Sequence, residues 1–150
     1  MKTLFEPAAQ QEVKLRLAQL SPDSPRLWGK MNPAQAVAHC SLGFELAVGD
    51  RVPPRMFIGR IIGFIVKPMA LKTDQALRRN SPTVTGLVVQ DDRDFIKERE
   101  RLYMMIDRFT SVGPQGRTAA THSFFGPMTP QEWGILMYKH LDHHLRQFGA

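Results

Sequence analysis

The chain has 150 residues, 43% hydrophobic and 23% charged, which fits one globular domain with a single core. There is no low-complexity tract and no repeat at a solenoid period, which excludes disordered, fibrous and repeat classes. The net charge of +6 admits nucleic acid, an anionic membrane or an acidic small molecule as partner. The basic residues are dispersed, however. The densest group is "LRRN" at 77–80, and Lys and Arg alternate with Glu over 97–101. No RNA-binding aromatic signature and no zinc-finger spacing occurs, so a solvated basic surface and no specific nucleic-acid recognition are expected. The lone cysteine, Cys40, cannot form an internal disulfide, and "MKTLFEPAAQQEVKLRLAQL" lacks the apolar core of a secretory signal. Both point to the cytoplasm.

Helical patterns follow one another along the chain. The first helix is expected from about Pro7 to Leu20, with proline in its first turn and Val13, Leu17 and Leu20 on one face. "SPDSPRLWGKM" interrupts it. The second helix opens at "NPAQ", with Asn32 as cap and Pro33 in first position, and runs to Val48 before Gly49. Gln35, Ala36, His39, Leu42, Gly43 and Leu46 share one face at about 100° per residue. His39 is thus expected in the middle of the core-facing surface.

Residues 51–72, "RVPPRMFIGRIIGFIVKPMALK", form the most apolar stretch. Arg60, Lys67 and Pro68 cut it well short of the ~20 residues a span needs. The pattern predicts a helical connection packed on the bundle and bent near Pro68, without membrane contact. An interfacial membrane segment is the alternative, because basic residues flank the apolar ones. An irregular stretch over 73–91 follows, long enough to edge a pocket. The third long helix is expected over Arg93–Val112, with Phe95, Leu102, Met105, Ile106 and Phe109 inward and Glu98–Arg101 on a solvated face. A loop, "GPQGRTAATHSFFGPM", leads to the last helix. There Thr129 caps, Pro130 takes the first position, Glu132 completes a capping box and Gly149 ends the helix. Four long helices with long connections imply an all-α bundle.

Three of the five histidines lie in "KHLDHHLRQFG" at 139–149. On a helical wheel, His140 and His144 fall within about 40° of Trp133 and Met137, on the buried face. His143 lies about 80° away, at the boundary. Tyr138, Lys139, Asp142 and Arg146 are expected on the outer side, so Asp142 is not a ligand candidate. Two inward histidines four residues apart can share one metal ion, with His39 as a third ligand from another helix. The bland alternative is a hydrogen-bonded core histidine at His39 and a chance H-x-x-x-H in the last helix. Three neutral imidazoles suit Zn²⁺ or Ni²⁺ and leave a coordination position open.

Other candidates carry two readings each. Gln35, one turn before His39, could bind substrate or cap a carbonyl. Gln147, one turn after His144, has the same standing. His143 is a second candidate catalytic group, or donates to Asp142 or solvent. His122, beside "SFFG", is either a general base over the pocket or a surface histidine. Cys40 points about 100° away from His39 and reads as a small buried hydrophobe. Trp28, Trp133, Phe124 and Phe125 read as core or pocket wall.

"WGKMNPAQAVAHCSLGFELAVGD", "NSPTVTGLVVQDDRDFIKERERL" and "SFFGPMTPQEWGILMYKHLDHHLRQFG" together resemble a branch of the DinB/YfiT-like superfamily labelled a domain of unknown function. The likeness covers nearly the whole chain, and "HLDHHLRQ" is similar to the superfamily's H-x-x-H-H-x-x-Q signature. The resemblance implies a DinB-like four-helix bundle of up-down-down-up topology, with 51–72 as an additional helical connection. It implies a divalent metal on His39, His140 and His144, and often a homodimer. It also implies a small-molecule substrate and, as in the better-known members, transfer or isomerisation with a low-molecular-weight thiol. Metal-dependent hydrolysis is the second enzymatic expectation. A non-catalytic module acting on a partner or membrane surface through 56–71 is the third reading.

Overall fold

A computed structural model describes the chain except Pro82, Thr83, Thr85 and Arg117, which fall in the two expected irregular stretches. Among the described residues there are five helices: α1 (Pro7–Ala18), α2 (Pro33–Val48), α3 (Phe57–Leu71), α4 (Phe95–Ser111) and α5 (Pro130–Gln147). A small antiparallel pair joins β1 (Thr121–His122) to β2 (Gly126–Pro127), with Thr121 opposite Pro127 and His122 opposite Gly126. The fold is therefore mostly helical rather than purely so. Two-residue strands carry no readable alternation, which is why the hairpin around "SFFG" reads as plain loop.

The helix boundaries follow local chemistry. At α2 the Asn32 side chain accepts from the Gln35 backbone N–H, and the Gln35 side chain accepts from the Asn32 N–H. Gly49 closes the helix with φ 85°, a left-handed conformation that glycine adopts without steric cost. Thr129 and Glu132 form the same reciprocal cap on α5. Asp94 caps α4 by accepting from Ile96 and Lys97 N–H. α1 stops at Ala18, and Leu20 is buried beyond its end.

α2 is the centre of the molecule. Its small residues, Ala36, Ala38, Ser41, Gly43 and Ala47, are buried on nearly every side, so α4 and α5 can both approach it closely. The core gathers Phe44, Leu102, Ile106, Phe109 and Trp133, each essentially inaccessible. The Trp133 indole donates to the Ala119 carbonyl at 2.6 Å, which satisfies its one polar atom.

Three expectations need correction. Glu98 is buried and accepts from Arg93 at 3.0 Å and Arg101 at 3.2 Å, so the charged run 98–101 is not wholly solvated. Lys139 and Asp142 are also buried rather than outward. Asp142 pairs with Arg16 at 2.8 Å and Arg146 at 3.0 Å. Lys139 donates to the carbonyl of Ala70 in the last turn of α3 and to those of Thr73 and Gln75 just beyond it. A wheel places a side chain by its Cβ direction alone; a second layer of chain over the outer face buries it all the same.

The third correction concerns α3, which packs by a narrow edge. Gly59 and Gly63 lie on the Phe124 backbone, where a methyl group at either would collide with the Phe124 carbonyl. Leu71 is the other buried residue of this helix. The opposite side exposes Phe57 (79%), Ile58, Ile61, Ile62, Phe64 (72%), Ile65 and Met69. That face comes to roughly 700 Å² of apolar surface, above what a typical monomer leaves in one patch. The helix continues through Pro68 to Leu71. Among the described residues no helix is long and apolar enough to cross a membrane.

Candidate metal centre

α2 and α5 bring His39, His140 and His144 together. One nitrogen from each ring lies within 4.8 Å of the other two. The ring centroids are 4.8 Å apart for His39–His140, 4.8 Å for His39–His144 and 4.9 Å for His140–His144. Each pair of rings is steeply inclined, and the nitrogen clustering is closest between Nε2 of His39 and Nε2 of His140. His39 is buried, and His140 and His144 keep part of their surface exposed. Gly43, one turn after His39, makes room for this. The His140 ring rests against α2 there, and a Cβ at Gly43 would stand 3.0 Å from its Cε1.

The outer nitrogens define the tautomers. His39 Nδ1 donates to the Leu87 carbonyl at 2.7 Å, since a carbonyl can only accept. His144 Nδ1 donates to Gln147 Oε1 at 2.8 Å, and the Gln147 amide donates in turn to the Trp28 carbonyl at 2.8 Å. With Nδ1 protonated, Nε2 of both rings presents a lone pair inward. Partners of this kind orient metal-ligating imidazoles. Gly29, with φ 77°, lets the Trp28 segment close on Gln147; a Cβ at Gly29 would meet the amide nitrogen at 2.6 Å. His39 Nε2 and His140 Nε2 stand 2.8 Å apart, a hydrogen-bonding distance. Donors sharing one tetrahedral ion at 2.0–2.1 Å stand about 3.3 Å apart. The cluster straddles that spacing, and small ring rotations would match it.

Burial keeps these rings uncharged. It is the main cause lowering the pKa of all three, reinforced by the neighbouring imidazoles for His140 and His144. His144 is pushed down to about 3. Three neutral nitrogen donors, two held by outer hydrogen bonds, are the donor set a borderline divalent ion takes.

The other candidates stand around this cluster. His143 is partly buried beside His144, 5.0 Å between centroids, and its Nδ1 donates to the Leu77 carbonyl at 3.3 Å. Gln35 has both ends of its amide engaged, accepting from Asn32 N–H and donating to the Asp91 carbonyl at 3.2 Å. Cys40 is buried, and burial raises its pKa, so it remains a thiol. His122 is buried, not superficial, between the Phe125 and Trp133 rings at 4.8 and 5.4 Å. Its Nδ1 accepts from the Phe124 and Phe125 N–H groups, both at 3.1 Å. Burial first, and Arg55 second, push its pKa down to about 4. The Leu87 carbonyl leaves no trace in sequence, because any residue in that irregular segment could supply it. Gly43 carried a signal, one turn from His39 on the same face.

Fold and site define a helical protein with a convergent three-histidine cluster between two of its helices. The chain matches, over residues 5–150, a protein family of unknown function, DUF1569, and it belongs to that family. No curated protein and no solved structure matches it.

Substitution should separate ligand from neighbour. His39→Ala, His140→Ala and His144→Ala are each expected to abolish Zn²⁺ binding in calorimetry, while His143→Ala retains it. Gln147→Ala, which frees the His144 tautomer, should weaken binding by about 10–100-fold.

His122 yields a pH prediction. The unfolded chain takes up a proton near pH 6.5 and the folded chain does so only near 4, so folding stability falls as pH drops through that window. The loss attributable to this residue is about 3 kcal/mol. His122→Asn keeps an acceptor near the two N–H groups and cannot protonate. Urea unfolding between pH 7 and 4 should show a shallower acid decline for that variant.

Proposed function

We propose that the protein is a metal-dependent enzyme with a mononuclear site on His39, His140 and His144, acting on a small molecule with a low-molecular-weight thiol as cosubstrate. The observation that carries this reading is the inward convergence of three imidazoles, two with protonated outer nitrogens. In this reading α1, α2, α4 and α5 form the DinB-like four-helix bundle in up-down-down-up order, and α3 is the additional connection. A divalent ion on three neutral ligands keeps its full charge, and that charge stabilises a thiolate, or a hydroxide for hydrolysis.

The chain's own residues do the rest. His39 and His144 hold their lone pairs inward through Leu87 and Gln147. Of the three, His140 and His144 are the less buried residues, and reactants would approach from their side. His143, whose Nδ1–H is committed to Leu77, has its Nε2 available to take a proton beside the reacting centre. Transfer is favoured over metal-dependent hydrolysis by the net charge of +6, which suits an acidic thiol.

The chain purified without a histidine tag should retain Zn²⁺ or Ni²⁺ and conjugate an electrophile with a cellular thiol, losing that rate in His144→Ala. Less than about a third of an equivalent of metal, unrestored on addition, would point instead to a non-catalytic binding module.

The exposed face of α3 favours a second statement, that the chain works as a homodimer. Roughly 700 Å² per copy approaches the ~800 Å² per partner of a stable interface. The chain should then sediment as a dimer across the micromolar range, and the double variant Phe57→Ser, Phe64→Ser as a monomer. A monomeric parent chain that floats with liposomes would assign the face to a membrane surface instead.

A further inference from the structure

Beside the histidine cluster lies a second group of side chains that metal binding does not use. The Trp28 indole nitrogen is buried and, among the described residues, has no hydrogen-bond partner. Buried N–H groups are rarely left so, and an unmet one marks a place for an acceptor. The Arg79 guanidinium lies 4.1 Å from the centroid of the same indole. Arg79 is exposed and, among the described residues, pairs with no carboxylate. A cation held on an indole face is attracted to it while its N–H groups remain free to bind an anion.

Both side chains are tied to the histidines. Trp28 is fixed by its carbonyl to Gln147, by Leu27 N–H to the Gln147 carbonyl at 2.7 Å, and by the close approach at Gly29. Its ring stands 5.7 Å from that of His143, and His143 stands 5.0 Å from His144. The Arg79 segment is fixed by the Leu77 carbonyl on His143. It turns at Asn80, whose φ of 55° is the left-handed conformation asparagine tolerates better than most residues.

We propose that Arg79 and the Trp28 N–H form a carboxylate-binding site next to the three histidines, which selects a substrate or thiol cosubstrate bearing a carboxylate. A planar carboxylate offers two oxygens to the guanidinium fork, with lone pairs left for the indole. The location rests on the metal-enzyme reading above; binding of the carboxylate itself does not require the metal.

Two measurements test it separately. In ¹⁵N-labelled protein the indole resonances of Trp28 and Trp133 are distinguished by Trp28→Phe, and Trp133, already bonded to Ala119, is the internal reference. Propionate should move the Trp28 resonance saturably at constant ionic strength, and propionamide should not. Arg79→Met should raise the midpoint about tenfold, while Arg78→Met leaves it unchanged. No saturable movement with propionate, or an equal midpoint in Arg79→Met, overturns the site. Saturation by inorganic phosphate at lower concentration than by propionate overturns the carboxylate class.

The second measurement uses Co²⁺-loaded protein and the visible absorption of a cobalt–thiolate bond. 3-Mercaptopropionate should bind about tenfold more tightly than 2-mercaptoethanol, and only where Arg79 is intact. Equal affinity of the two thiols removes the carboxylate site from the metal's neighbourhood and so overturns the proposal. Absence of the band with either thiol counts against the metal–thiol reading, and the propionate titration then decides the carboxylate site alone.

Discussion

Three imidazoles can share a few ångströms of largely buried space only while they are uncharged. A proton on one ring would be poorly solvated there, and burial is the first cause of the depressed pKa values of His39, His140 and His144, with neighbouring imidazoles a lesser one. Neutrality alone does not aim a lone pair, because a neutral imidazole has two tautomers. The Leu87 carbonyl and the Gln147 amide remove that freedom at His39 and His144. Buried Leu87 and Val89 hold the first acceptor in place, and the Trp28–Gly29 turn against the end of α5 holds the second.

The backbone of this arrangement was legible in the sequence. Asn32 with Gln35, and Thr129 with Glu132, announce helix starts through side-chain and backbone donors only a few residues apart. The inward placement of His39, His140 and His144 follows from a 3.6-residue period acting over long helices. What was not legible depends on chain that returns from far away. Lys139 and Asp142 lie on the outer side of α5 by phase, yet the end of α3 covers one and Arg16 of α1 meets the other. His122 reads as a loop histidine, but a two-residue strand pair and the Trp133 ring enclose it. Hairpins this short have no periodicity to detect.

α3 fails in the opposite direction. Its composition is the most apolar in the chain, so burial is the natural expectation. The buried edge, however, is glycine at positions 59 and 63, set against backbone, and the large side chains point away. Here the small residues make the contact, and the bulky ones on the opposite side stay exposed among the described residues. Hydrophobicity measures the wish to be covered; it does not say by what.

Lys139 joins this helix to the chemistry. Its ammonium clasps three carbonyls where α3 ends, and the next residue along the chain is His140. Lys67 makes a second clasp, to Glu132 in the first turn of α5. The C-terminal end of the apolar helix is thus riveted twice to the histidine-bearing helix, and whatever presses on one leans on the shelf that carries the other.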